Sequence, residues 1–441
     1  MKYLATLACI FLLAVSLRAQ EANEPATKEE VADVKGAVEG INETMLEMKS
    51  TLDALKKIKI SGYIQTQFQS ADSDGVKGFS GGDFATGVHS RYLLRRGRVK
   101  FNYDNDLTQY VLQIDVAQTG LAIKDAYVSI KEPWLRTFTL TSGVFDRPFG
   151  FEISYSSSNR EAPERSRMYQ TLFPGERDLG LKIEAAPESG PLSFLNVKGG
   201  FFNGTRENVL ENDNNKDFIG RAGFSFAFDE ANLAIDGGAS LYSGKVRSNS
   251  TQSFSVANGV FAKDTTAFGK YFDRNYAGAD VQLYYDLPVI GGLSLRGEYI
   301  SGKQPGTSAS NSFYNNPWVS ATPAVNTPVY TRNFSGFYVN YVQNIGMSNQ
   351  FVLKYDEFDP NTDVAGSAIG KAGTNFTAAD VKYTTLGLGW IYHWDANVKF
   401  TVYYDMVTNE KVYSGTSDKS LYPYTNDLKD NVLTVRMQYK F

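Results

Sequence analysis

Sixteen stretches between Ile58 and Phe441 read as candidate strands, several of them alternating apolar with polar side chains at a period of two, and the segments joining them are sorted by parity into long and short. Tyr110, Leu112, Ile114 and Val116 stand against Gln109, Gln113 and Asp115, and Val398, Phe400, Val402 and Tyr404 against Lys399, Thr401 and Asp405. Only extended chain places such sets on opposite faces. Connections after odd-numbered stretches are long, among them 70–91, 146–178, 243–274, 302–332, 359–381 and 408–430. Those after even-numbered stretches are tight, as at Asp104-Asn105-Asp106, Phe228-Asp229-Glu230 and Asp395-Ala396, and the link at 118–121 is the exception. A soluble sandwich has no reason to sort its loops this way. An even number of antiparallel strands, short turns at one end and long loops at the other, is the arrangement of an outer-membrane barrel. The fold class expected is therefore all-β, a transmembrane antiparallel β-barrel of about 16 strands over residues 58–441, with both chain ends in the periplasm.

The last stretch, NVLTVRMQYKF, fits that ring. Leu433, Val435, Met437, Tyr439 and Phe441 share one parity and Thr434, Arg436, Gln438 and Lys440 the other. A final strand needs neighbours on both sides or it leaves an unpaired edge, and closure removes the edge. The apolar set would face lipid, with Phe441 at the boundary where aromatic girdles sit. A terminal strand ending in Tyr439 and Phe441 also resembles the signal that the bacterial barrel-assembly machinery recognises in its clients.

Composition agrees. Glycine (39), tyrosine (27) and phenylalanine (29) are abundant while only 42% of residues are hydrophobic, the profile of strands apolar on one side. No stretch after residue 20 has the roughly 18 to 20 apolar residues of a spanning helix. MKYLATLACIFLLAVSLRAQ has a lysine, an apolar run from Leu4 to Leu17 and Ala19 at a cleavage position, so residues 1–19 read as a secretory signal peptide. Cys9, the only cysteine, lies too early in that run for lipidation, and its removal leaves no thiol or disulfide. Losing Lys2 and Arg18 makes the formal charge of -4 more negative still, which speaks against nucleic acid as a partner.

Residues 20–57 have another texture. Val31, Val34, Val38, Ile41, Met45, Met48, Leu52 and Leu55 recur at steps of three and four, a heptad stripe on a periplasmic helix. Thr27 and Glu30 form a candidate capping box, and Lys56, Lys57 and Lys59 suit the negative end of the helix dipole. β-branched residues at d positions favour trimers or larger assemblies over a parallel dimer. Gly36, Gly40 and the two methionines weaken a coiled coil, which leaves open a single amphipathic helix folded on the barrel mouth or into its lumen.

A sixteen-stranded interior implies a water-filled channel rather than a packed core, with selectivity set by the charges at its constriction. The segment 146–178 is the third outer loop, rich in Arg and Glu, and is the natural candidate to fold inward. Here the chain resembles the phosphate-selective porin O and P family, through GVFDRPFGFE (143–152), ERSRMYQTLFPGERDLG (164–180), RRGRVKF (95–101) and IKISGYIQTQF (58–68). The resemblance implies a homotrimeric outer-membrane porin embedded in lipid, whose third loop narrows the pore and whose lumenal cations guide small anions. Onto this chain it carries Arg96, Arg98 and Lys100 of the second strand, and Arg147, Arg160, Arg165, Arg167 and Arg177 of the loop. Asp146, Glu152, Glu161, Glu164, Glu176 and Asp178 nearly balance those arginines. The function expected is thus passive diffusion of small hydrophilic solutes and ions with a modest anion preference, phosphate being the anion the resemblance names.

Other classes find less support. His89 and His393, the only histidines, fall at opposite ends of the barrel, so neither a Ser-His-Asp site nor a multi-histidine metal site can use both. No enzyme, cofactor or metal is expected. ENDNNKD (211–217) lacks the glycine and distal glutamate of an EF-hand loop. The alternative is a plugged receptor or adhesion barrel that binds a partner through its outer loops.

Overall fold

The computed structural model describes residues 28–118, 120–312 and 327–441, so the expected signal peptide and Thr27 of the expected capping box lie outside the described residues. The chain divides into two compact units after Ile58. In the first, α1 (Lys28–Lys56) carries Val34, Val38, Ile41, Met45, Met48, Leu52 and Leu55 as an exposed stripe. Thr44 and Thr51 return their hydroxyls to the carbonyls of Gly40 and Glu47, so neither leaves a polar group wanting.

The second unit is one sheet. In chain order its described strands are β1 (Ile58–Ala71), β2 (Ser90–Asn105), β3 (Thr108–Ala117), β4 (Gly120–Lys131), β5 (Phe138–Asp146), β6 (Arg177–Ala185), β7 (Leu195–Phe202), β8 (Asp217–Phe228) and β9 (Leu233–Arg247). There follow β10 (Ser253–Ala257), β11 (Val260–Asp264), β12 (Tyr271–Leu287), β13 (Gly291–Gly306), β14 (Val329–Ile345), β15 (Asn349–Asp359), β16 (Tyr383–His393), β17 (Val398–Asn409) and β18 (Val432–Lys440). Leaving aside β10 and β11, sixteen of these pair antiparallel in a closed ring. Closure is made by β18 on β1, in register from Tyr63 opposite Lys440 to Ala71 opposite Val432.

The additional pair was expected to be loop. Its sequence carries a reason for the hairpin: Asn258 and Gly259 both have positive φ, 52° and 76°, as an Asn-Gly turn of type I′ requires. β10 also runs parallel to the start of β14, Ser253 beside Val329. The hairpin thereby joins loops 360–382 and 410–431 in an apolar cluster of Phe261, Tyr330, Val364, Ile369, Phe376, Val381, Val412 and Leu421. Beneath it the Arg332 guanidinium meets Asp380 at 2.7 Å with both side chains wholly buried. The long loops on this side of the ring therefore form a folded cap.

Wall side chains alternate as the period of two demands. On β18 Thr434, Arg436 and Gln438 are buried while Val435, Met437 and Tyr439 are exposed, and on β1 Gln65, Gln67 and Gln69 are buried. Inward means buried here because residues 147–176 cross the lumen. The exposed outer face is apolar, with Tyr103, Tyr110, Phe138, Tyr285, Trp390, Tyr392, Tyr439 and Phe441 marking the end where the turns are tight.

The interior departs from the expected water-filled channel. Phe149, Ile153, Met168, Tyr169, Leu172 and Phe173 of the crossing loop pack on Phe202, Ile219, Tyr242, Tyr276, Ile300, Phe334, Tyr338 and Phe358 of the wall. One side of the lumen is a dry core, and α2 (Arg167–Leu172) is seated in it. Burying each such side chain contributes about 1.5 to 3 kcal/mol, enough to hold a thirty-residue excursion that has no strand partner.

Candidate functional site: the crossing loop and the basic vestibule

The loop leaves β5 through Arg147, whose guanidinium lies 3.4 Å from Asp178 with both groups fully buried. Pro148 and Phe149 then enter the core, and Gly150 turns the chain at φ +60°, where a Cβ would run into the Tyr169 hydroxyl. The turn is caught from two strands. Gly150 N–H donates to Ser240 Oγ at 2.9 Å, and the N–H groups of Phe151 and Glu152 both donate to Glu298 Oε1 at 2.6 Å.

From there the loop reaches the far wall and is held mainly by charge. Lys354 Nζ lies 2.6 Å from Glu152, and Arg296 clasps Glu161 with bonds of 2.7 and 3.1 Å. Lys399 donates to the carbonyls of Ser158 and Arg160 at 3.0 and 3.2 Å, while Gln65 and Gln438 donate to Ser157 and Ser158 carbonyls. Arg95, Arg96 and Arg436 converge on Glu164 at 2.8, 2.8 and 3.0 Å. Burial alone would raise the Glu164 carboxyl, but those three guanidiniums outweigh it and hold it well below the usual carboxylate range. One carboxylate facing three guanidiniums leaves this region positive. Beside it Arg160 is 5% exposed, with its Nε and Nη1 unpartnered among the described residues. Its charge is disfavoured by burial and by the neighbouring Arg165 and Arg96.

Arg165 forms the bar across the lumen. Its guanidinium donates to Glu176 and to the carbonyls of Glu152, Ile153 and Tyr155. On the tight-turn side it borders an open vestibule of about 720 Å³, and on the long-loop side a void of about 30 Å³, room for about one water. Among the described residues Arg165 alone lines both.

The vestibule is basic. Among the described residues nine Lys and Arg side chains line it against five Asp and Glu. Most of these cations are bound: Arg98 to Asp115 at 2.9 Å, Arg177 to Asp125 and Asp146 at 3.0 Å each, and Lys182 to Glu184 at 2.8 Å. Lys100 and Lys440 form no ion pair among the described residues, and Lys198, opposite Glu184 on the neighbouring strand, shares that carboxylate with Lys182.

Of the residues singled out in the sequence, Arg98, Lys100, Arg147, Arg165 and Arg177 are thus together on the vestibule wall. Arg96 and Arg160 lie at the Glu164 clamp, and Arg167 lies beyond the bar, between the rings of Phe79 and Tyr383. Tyr439 faces outward, and Phe441 exchanges main-chain hydrogen bonds of 3.0 Å with Gly62 at the seam. Sequence reasoning placed Lys399 and Arg436 on the inward face but identified neither them nor Lys354 as anchors of the crossing loop. It also missed Phe79, which no periodicity flags.

The profile of the phosphate-selective porin O and P family matches residues 85–441, most of the chain. The chain belongs to that porin family. Among solved structures, the anion-selective porin from Comamonas acidovorans aligns with this porin at TM-score 0.53 and 11% identity, covering 87% of this chain and 99% of that one. The high-pH structure of OprB from Pseudomonas putida aligns at TM-score 0.57 and 10% identity, covering 89% and 96%. At such identities the likeness is one of fold. No curated protein matches the porin's sequence.

Proposed function

We propose that this porin is a passive channel of the bacterial outer membrane that favours small anions, with Lys100 and Lys198 as the charges that an entering anion meets first. The observation that carries this reading is the nine-to-five excess of cations among the described residues of the vestibule wall, together with Lys100, which forms no ion pair among them, and Lys198, which shares the one carboxylate of Glu184 with Lys182. A bound pair such as Arg98 with Asp115 presents little net field, whereas a lysine with no ion pair, or two lysines sharing one carboxylate, leave net positive charge in a narrow low-dielectric passage. Because most lumenal arginines are engaged, the reading is modest anion preference and not a dedicated phosphate site. On the same reading residues 1–19 are an export signal and α1 lies in the periplasm. Three copies assemble in the lipid after insertion by the barrel-assembly machinery, and Tyr439 and Phe441 are what that machinery reads.

Purified protein in a planar bilayer tests the proposal. Discrete conductance steps are expected, with a reversal potential in a salt gradient on the anion side. The double variant Lys100→Glu/Lys198→Glu is expected to move it to the cation side. Virtually no conductance would favour the plugged receptor instead, and an unchanged reversal potential would remove the two lysines from their role.

A further inference from the structure

Beyond the Arg165 bar, α2 meets the tip of the first long loop, residues 72–89. The tip is Gly78-Phe79-Ser80-Gly81-Gly82, and Gly81 and Gly82 hold φ of +117° and +99°, conformations other residues seldom adopt. It is fastened on several sides. Gln69 of β1 donates to the Ser80 carbonyl, Ser80 Oγ donates to Asp405 of β17 at 2.9 Å, and Gln170 of α2 donates to the Phe79 carbonyl at 2.8 Å.

The Arg167 guanidinium lies 4.3 Å from the centroid of the Phe79 ring and 3.9 Å from that of Tyr383. Its side chain is buried, and its Nε has no hydrogen-bond partner among the described residues. Asp356 and Asp430 border the same small void, each 7% exposed and each with one carboxylate oxygen unpartnered among the described residues. This differs from the structural arginines nearby. Arg165 spends its donors on a carboxylate and three carbonyls, and Arg332 on Asp380 and the Thr307 carbonyl. Arg167 is held by two π faces and by nearby negative charge, a mode that recognises a cation without fixing its donors and lets it leave without breaking a hydrogen bond.

We propose that Phe79, Tyr383, Asp356 and Asp430 form a cation-recognition cage of the guanidinium and alkylammonium class at the outer mouth, and that Arg167 occupies it as a built-in ligand. With Arg167 in the cage, the first loop is latched onto the crossing loop and the void between them admits about one water. With Arg167 out, the glycine-flanked tip swings free and the cage is open to a solute cation of the same chemistry. The inference rests on the channel reading.

The test is single-channel recording of the wild type and of Arg167→Ala, with correct folding checked by the mobility shift of unheated barrel on a detergent gel. Arg167→Ala is expected to raise the open fraction roughly tenfold, the equivalent of losing one desolvated cation–π contact. Millimolar methylguanidinium is expected to return that variant toward the wild-type level, sodium at the same concentration is not, and the wild type is expected to stay indifferent. Phe79→Ala/Arg167→Ala removes one wall of the cage and is expected to lose the response. Methylguanidinium acting equally on single and double variants, or an Arg167→Ala trace identical to the wild type and blind to the additive, overturns the cage. A wild type and variants that carry no current at all would overturn the channel reading and the cage with it.

Discussion

Three guanidiniums, from Arg95, Arg96 and Arg436, meet on the one carboxylate of Glu164, and this decides how the crossing loop reads its own charge. Breaking a buried ion pair by removing one member is costly because the remaining charge stays buried. Glu164→Gln keeps the shape and leaves three cations with no counter-charge, so it is expected to destabilise the barrel by about 3 kcal/mol, read as a lower thermal midpoint in detergent. The pH dependence follows from the depressed Glu164 carboxyl. Its contribution is complete above the unfolded-state value of about 4.3 and is lost only as pH falls through the lower folded value. Wild type and variant should therefore differ throughout neutral and mildly acid pH and converge only in strong acid. A difference that vanished near pH 5 would contradict the clamp.

Gly150 sets the direction of the whole crossing loop, because its positive φ and the Tyr169 hydroxyl at its back leave no room for a side chain. Gly150→Val is expected to lift the turn from Ser240 and Glu298, unseat α2 and raise single-channel conductance, with the strand content by circular dichroism unchanged. Conductance at the wild-type level would mean the loop does not limit the pore. Elements are also where sequence reading succeeded and failed for different reasons. The inward set of β18 was legible because a strand's faces are fixed by parity alone. The β10–β11 hairpin was passed over although Asn258-Gly259 is a local turn signal, since its two strands are short and lie within a long connection. That the third loop turns inward was legible from its place and charge. Its anchors were not, because Glu152 finds Lys354 and Glu161 finds Arg296 only once the ring has closed and brought distant strands across the lumen.

The molecule as a whole depends on its seam. Gly62 and Phe441 exchange two main-chain hydrogen bonds, and a side chain at Gly62 would run into the Arg98 carbonyl of β2 and into the Phe441 ring, which lies 2.6 Å from where its Cβ would stand. Gly62→Leu is expected to pry the ring off the first strand and lower the yield of barrel that resists unfolding on unheated gels. Equal yield would show that the seam tolerates bulk there. The same junction places Tyr63 opposite Lys440, so the first and last wall strands are already neighbours. A ring has no first spoke. A chain spliced across that junction and cut instead at the tight turn 346–348 would present the same order of neighbours around the cylinder, with its new termini emerging on the same side as the old.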